Sequence, residues 1–72
     1  EQQNMVSFQD SLPKDLKPED RQLLTWRYEE RMEYEEIAKR LGRSYDAARA
    51  QMYRAKKRCA KLMERERKKL GL

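Results

Sequence analysis

The C-terminal part of the chain constrains the fold most, because no Gly or Pro interrupts the run from Tyr45 to Leu70. Small and apolar residues recur there with the three- and four-residue spacing of one helix face. They are Ala48, Met52, Ala55, Cys59 and Leu62. The whole chain of 72 residues holds only 2 Gly and 2 Pro, which is too few for a turn-rich β fold. We therefore predict an all-α domain, a small helical bundle that ends in a long helix.

Two shorter helices are predicted before the long one. Pro18 suits the first turn of a helix, and we expect this helix to span residues 18–30. The residues of this helix that we expect in the core are Leu23, Leu24, Trp26 and Tyr28. One face of the second helix carries Tyr34, Ile37, Ala38 and Leu41, at the spacing that one side of an α-helix requires.

The segment between the second and third helices predicts a helix-turn-helix. Gly42 directly follows the second apolar stripe, where a glycine ends a helix by adopting the left-handed conformation. Ser44 can cap the next helix, because its hydroxyl accepts a hydrogen bond from a free backbone N–H. A short helix, a tight turn and a longer helix are the parts of a DNA-binding helix-turn-helix. An ordinary helical hairpin with a basic, solvated face is the alternative.

The N-terminal residues show no sustained apolar period. We predict that residues 1–11 form a flexible linker or a disordered N-terminus, and that residues 12–72 form the helix-turn-helix domain. Because the sequence begins with Glu rather than Met, we expect it to be a piece of a longer protein.

The composition excludes several kinds of site. There is no His, and a single Cys can form neither an internal disulfide nor a zinc cluster. We therefore expect no enzyme, no cofactor and no metal, and Cys59 is interpreted as a small buried residue. No apolar run is long enough to span a membrane. With no signal peptide visible, a cytoplasmic location without a membrane partner is expected.

Positive charge is concentrated in the C-terminal half. Residues 1–42 hold 7 Lys/Arg and 10 Asp/Glu, a net of −3, whereas residues 43–72 hold 11 and 3, a net of +8. This asymmetry favours a polyanionic partner such as nucleic acid. The arc of the third helix opposite its apolar stripe consists of Asp46, Ala50, Tyr53, Arg54, Lys57 and Lys61.

Three stretches of the sequence carry a family resemblance. They are LP at residues 12–13, RQLLTWRYEERMEYEEIAKRLGRS at 21–44 and YRAKKR at 53–58. Together they resemble region 4 of bacterial RNA polymerase sigma factors, most closely the extracytoplasmic-function type. The resemblance implies a four-helix domain whose last helix reads the −35 promoter element.

The resemblance also implies residue roles. It implies DNA contacts from Arg49, Ala50, Tyr53 and Arg54, and a phosphate contact from Arg27. With Ser44 and Lys57, these residues form the predicted DNA-binding set. The chain departs from the family pattern at Arg31, where Gly is usual, and at Glu33, where Ser or Thr is usual. It departs again in the third helix, at Asp46, Ala47, Ala48 and Ala50, where Gly, Thr, Val and Ser are common. A non-Gly residue costs about 1 kcal/mol in a left-handed turn, which leaves a different turn geometry open.

Partners follow from the same resemblance. It implies double-stranded promoter DNA, the RNA polymerase core bound through the flap of its β subunit, and an anti-sigma factor, with the chain acting as a monomer. Apolar residues outside the core stripe and the DNA arc are the docking candidates, chiefly Leu16 and Met63, with Trp26 and Leu70 beside them. Two alternatives stay open: a stand-alone helix-turn-helix regulator of the response-regulator type, which would dimerise, and a helical interaction protein that uses the charged helix over residues 45–70.

Overall fold

The computed structural model describes residues 8–69, and within that range it is helical without strands. A 3-10 helix (Gln9–Ser11) precedes α1 (Pro18–Leu24), which continues into a π turn (Thr25–Glu29). Then follow α2 (Tyr34–Leu41) and α3 (Tyr45–Lys69). The predicted all-α fold with a long last helix is confirmed.

The core lies where α1 and α2 pack against one face of α3. Its buried apolar residues are Leu16, Leu23, Leu24, Ile37, Ala38, Ala48, Met52, Ala55 and Cys59. Four of the five predicted core residues of α3 are among them, and the fifth, Leu62, is half-buried against the same cluster. Alanine at three of these positions removes side-chain bulk, so the three helices can approach closely.

The first helix departs from α geometry in its second half. The backbone N–H of Glu30 donates to the carbonyl of Thr25 at 3.0 Å, five residues back, which is the π pattern. The wider turn changes the directions in which the side chains within it project. Tyr28 is therefore 46% exposed, and its prediction as a core residue is wrong. Trp26 packs against the core as predicted.

The segment before α1 folds onto the bundle earlier than predicted. Residues 1–7 of the predicted linker lie outside the described residues. In residues 8–11, by contrast, Phe8 packs against the core and its carbonyl accepts a hydrogen bond from the Ser11 hydroxyl at 2.6 Å. The Arg21 guanidinium also donates to the Pro13 carbonyl at 2.7 Å, which fastens this segment to α1. The folded unit thus includes residues 8–11.

Both turns that flank α2 use the left-handed conformation. Gly42 has φ 67° and ends α2, as predicted, and the Arg43 N–H donates to the Ala38 carbonyl at 3.0 Å. Arg31 has φ 57° although it is not a glycine. This turn therefore contains a left-handed residue without a glycine, at a cost of about 1 kcal/mol. Glu33 is the N-cap of α2 and its side chain makes no capping hydrogen bond.

An ion pair between a buried carboxylate and a partly exposed guanidinium joins α1 to α3. The Arg58 guanidinium donates two hydrogen bonds to the Asp20 carboxylate, Nε at 2.6 Å and one terminal nitrogen at 2.8 Å. The Asp20 side chain is 4% exposed, while that of Arg58 is 45% exposed. These hydrogen bonds lower the pKa of Asp20, although burial opposes them. The same contact raises the pKa of Arg58, so both groups stay charged at neutral pH.

Candidate nucleic-acid interface

The outer face of α3 carries most of the predicted DNA-binding residues. Arg49, Ala50, Tyr53, Arg54 and Lys57 are all exposed. Met52 and Ala55 anchor the opposite face in the core, so the burial of one side determines which side is presented. The Lys57 ammonium lies 5.5 Å from the centre of the Tyr53 ring, one helical turn away. The structure thus gathers these residues on one accessible helix surface.

The start of α3 is capped as the sequence predicts. The Ser44 hydroxyl accepts a hydrogen bond from the Ala47 N–H at 3.1 Å. The Ala48 N–H donates to the Ser44 carbonyl at 2.9 Å. Ser44 is exposed and lies at the positive end of the helix dipole. Its confirmed role is therefore structural, and a DNA contact from it stays a prediction.

Two arginines and two tyrosines form a cluster beside this start, which we call the arginine–tyrosine cluster. Its members are Arg27, Tyr34, Tyr45 and Arg49. The guanidinium carbons of Arg27 and Arg49 lie 4.4 Å and 5.5 Å from the centre of the Tyr34 ring. Arg49 also lies 5.9 Å from the Tyr45 ring. The two rings meet edge to face, 6.2 Å apart.

Arg27 has a second contact that the sequence did not indicate. Its guanidinium donates to the Met32 carbonyl at 2.9 Å, across the left-handed turn that holds Arg31. The side chain is half-buried. Arg27 therefore supports the turn before α2 while its charge stays next to the helix-turn-helix. Sequence reasoning placed Arg27 near the DNA and missed its link to Tyr34, because an aromatic–arginine pair seven residues apart has no helical spacing across a turn.

Arg58 differs from the positive residues on the outer face of α3, because its charge is paired with a carboxylate. It flanks the outer arc in sequence, but its guanidinium is committed to Asp20 of α1. No similar pairing involves Arg49, Arg54 or Lys57 among residues 8–69, where the other ion pairs are Arg40–Glu36 and Arg67–Glu64. The positive charge of the outer arc is therefore available to a partner.

The predicted docking residues differ in how far they are exposed in the structure. Leu16 is 4% exposed and belongs to the core, and a docking contact from it stays a prediction. The neighbours of Leu16 in the sequence are polar, so no apolar pattern predicts that this leucine packs inward from the segment before α1. Met63 is 48% exposed. Leu70 lies outside the described residues, and Trp26 is half-buried.

Met63 borders an apolar groove between α3 and the N-terminal segment, which we call the Met63 groove. Its apolar lining consists of Phe8, Leu12, Leu24, Tyr28, Cys59, Ala60 and Met63, and Lys56 lies beside them. Cys59 is buried, as predicted, and burial raises the pKa of its thiol. The thiol is therefore protonated at neutral pH and acts as an apolar surface.

Two kinds of site are not found in the part of the chain that the structure describes. Residues 8–69 contain no group of His, Cys, Asp or Glu side chains that could hold a metal ion. None of their helices combines the length and apolarity needed to cross a membrane.

Comparison with known proteins identifies the family. The chain matches the family described as sigma-70, region 4, over residues 14–59. This match covers α1, the π turn, α2 and α3 as far as Cys59. No curated protein and no solved structure gives a significant match. Because the matched residues make up well over half of the chain, it belongs to the sigma-70 region 4 family, a DNA-binding regulatory family of transcription and not a catalytic one.

Proposed function

We propose that this domain recognises the −35 promoter element as part of a sigma factor of the extracytoplasmic-function type. The observation that carries the proposal is the division of α3 into a buried apolar face and an exposed face with Arg49, Tyr53 and Arg54. A helix of this kind fits the major groove of DNA, where arginine reads guanine through two hydrogen bonds. Ala50 lies in the middle of the exposed face and offers no side chain that would hold the helix away from the bases.

The proposed contacts divide into reading and positioning. Arg49 and Arg54 point from the first turns of α3, so they are assigned to base edges. Arg27 and Lys57 lie to either side of that surface and are assigned to phosphates, which orient the protein without reading sequence. Ser44 lies at the helix N-terminus, where a phosphate is also favoured.

Docking on RNA polymerase is the second part of the proposal. A single small DNA-binding module buries a limited interface, and a genome offers many competing sites. A tether raises the effective concentration at the promoter, so modest DNA affinity suffices. The Met63 groove is apolar, and its lining residues Leu24, Tyr28 and Cys59 are not in the DNA-binding set. We assign it to the β-subunit flap of the polymerase core; an anti-sigma factor would silence the domain by covering this groove or the exposed face of α3.

Selection of duplexes from a random pool tests the DNA part. We expect one enriched motif with a single half-site, bound by a monomer, and a steep decrease in affinity with salt. The Arg54→Ala variant should lose the preference at one base pair. A dimer on a palindrome would instead support the stand-alone regulator, and the absence of both enrichment and salt dependence would remove the DNA proposal.

Titration with the isolated β flap tests the docking part. Met63→Glu should weaken flap binding about tenfold or more, because a charge in an apolar contact is costly, while duplex binding stays unchanged. Met63→Leu keeps the apolar surface and is the matched control. Wild-type protein that fails to bind the flap at high micromolar concentration would remove this assignment.

A further inference from the structure

Two positive side chains share one aromatic ring at the start of α2. The guanidinium carbons of Arg27 and Arg49 lie within 5.5 Å of the centre of the Tyr34 ring, although the two residues belong to different helical segments. Tyr34 is the first residue of α2 and Tyr45 the first residue of α3. Their edge-to-face contact therefore joins the two helix starts. The position of both arginines depends on how the helix-turn-helix closes.

An aromatic ring holds an arginine without removing its charge. The face of the ring is electronegative and attracts the guanidinium, but it does not supply the negative charge that a carboxylate would. Among residues 8–69 no carboxylate forms an ion pair with Arg27 or Arg49. A free arginine loses conformational entropy when it binds, and a held one has already lost part of it.

We propose that Tyr34 is a positioning residue that pre-orients Arg27 and Arg49 for DNA, with Tyr45 as the second ring that confines Arg49. The part of this inference that concerns DNA affinity rests on the function proposed above. The ring provides the effect, and the hydroxyl does not, because the attraction is between the guanidinium and the π face. Tyr34 touches no base or phosphate in this account; it acts through the two arginines.

Two variants distinguish the effect of the aromatic ring from the effect of an apolar side chain at the same position. Tyr34→Phe keeps the ring and removes the hydroxyl, whereas Tyr34→Leu keeps an apolar residue and removes the ring. We expect Tyr34→Leu to lower the affinity for the selected duplex about fivefold and Tyr34→Phe to change it less than about twofold. In Arg49→Ala protein the added Tyr34→Leu change should cost less, because the two residues act as a unit.

A measurement on the free protein tests the positioning without DNA. In wild-type protein the Arg49 Nε–Hε order parameter should exceed that of Arg54, which has no ring contact within residues 8–69. The difference should disappear in Tyr34→Leu and persist in Tyr34→Phe. Thermal unfolding identifies a Tyr34→Leu variant that has lost its fold; in that case Tyr45→Leu, which removes a ring at an exposed site, takes its place with the same expected direction.

The outcomes distinguish the two proposals. Equal order for Arg49 and Arg54 in wild-type protein, or order that survives removal of the ring, overturns the positioning role. Equal affinity losses in Tyr34→Phe and Tyr34→Leu overturn it as well, because the hydroxyl would then be responsible. A wild-type protein that holds Arg49 rigid but binds no duplex overturns the proposed function alone.

Discussion

Arg49 and Arg58 lie on the same helix, but one has aromatic partners and the other has a carboxylate partner. Arg58, in the middle of α3, donates two hydrogen bonds to the carboxylate of Asp20, which balances its positive charge. Arg49, near the start of α3, lies over the rings of Tyr34 and Tyr45 and keeps its charge. The first arrangement joins α1 to α3. The second leaves a positive group at the surface in a restricted position.

The difference shows how one residue type can join two helices in one place and keep its charge available to a ligand in another. A carboxylate partner stabilises the fold but removes the charge from use, since a DNA phosphate would have to displace it. An aromatic partner restrains the side chain and leaves its charge and its hydrogen-bond donors to a ligand. The two regions should therefore respond to different perturbations.

The largest effect is expected at the ion pair. Asp20→Asn should lower the free energy of unfolding by about 2 kcal/mol, because it replaces two charge-assisted hydrogen bonds at a buried site. Arg58→Met should destabilise the protein more than Asp20→Asn does, since it leaves a buried carboxylate unpaired. Urea unfolding measures both changes. If Asp20→Asn shifted DNA affinity but not stability, the assignment of this region to folding would be wrong.

The pH dependence of stability follows from the same pair. The folded-state pKa of Asp20 is lowered, so its contribution to stability is complete above the ordinary carboxyl pKa of about 4. It is lost as the pH falls through the lowered value. Wild-type protein should therefore lose stability on acidification below about pH 4, and Asp20→Asn should lose less over the same range. Parallel curves for the two proteins would contradict the pKa shift.

An effect of comparable size, on binding and not on folding, is expected at Arg49. Arg49→Ala should weaken the specific duplex by about 1–3 kcal/mol and relax the preference at one base pair. Urea unfolding should change little, because the side chain is exposed. Fluorescence anisotropy on specific and random duplexes measures the difference. An equal loss on both duplexes would make Arg49 a phosphate contact.

Lys57 is the matched comparison to Arg49, because it is assigned to a phosphate and not to a base. Lys57→Ala should weaken binding to every duplex alike and reduce the slope of log K against log salt by about 0.9, the value for one phosphate contact. Arg58→Met should leave this slope unchanged, because the charge of Arg58 is already balanced by Asp20. A slope that falls equally in both variants would remove the distinction between the two regions.

The smallest effect is expected at the turn that Arg27 spans. Arg31→Gly should stabilise the protein by about 0.5 kcal/mol, because glycine adopts the left-handed conformation without a Cβ clash at a small cost in chain entropy. Differential scanning calorimetry can resolve the change as a small rise in Tm. A decrease would show that the Arg31 side chain stabilises the turn by more than its backbone strain costs.

Local signals in the sequence predicted much of this fold. The apolar stripe of α3, the glycine that ends α2 and the serine that caps α3 act within one or two helical turns, so their spacing is sufficient. The exposed face of α3 followed from the same periodicity. Burial then confirmed that Ala50, Tyr53 and Arg54 share that surface.

Contacts between distant residues could not be predicted in this way. Asp20 and Arg58 are 38 positions apart, and no spacing rule connects residues on different helices. The burial of Leu16 depends on how an irregular segment crosses α1. The arginine–tyrosine cluster depends on the geometry of both turns that flank α2. The sequence positions of Arg27 and Tyr34 therefore do not predict their contact.

The π turn at Thr25–Glu29 is a place where a one-residue change in chain length would alter the orientation of the residues that follow. A bond from residue i to i+5 encloses one residue more than an α turn holds. Deleting one of these five residues would let the α pattern continue and would turn the residues that follow by about 100°. Trp26 packs on the core, Arg27 lies over the ring of Tyr34 and Tyr28 is exposed, so a rotation of this size would disturb all three positions. A single insertion or deletion at this place would therefore change the direction of Arg27 relative to α2 without changing any side chain.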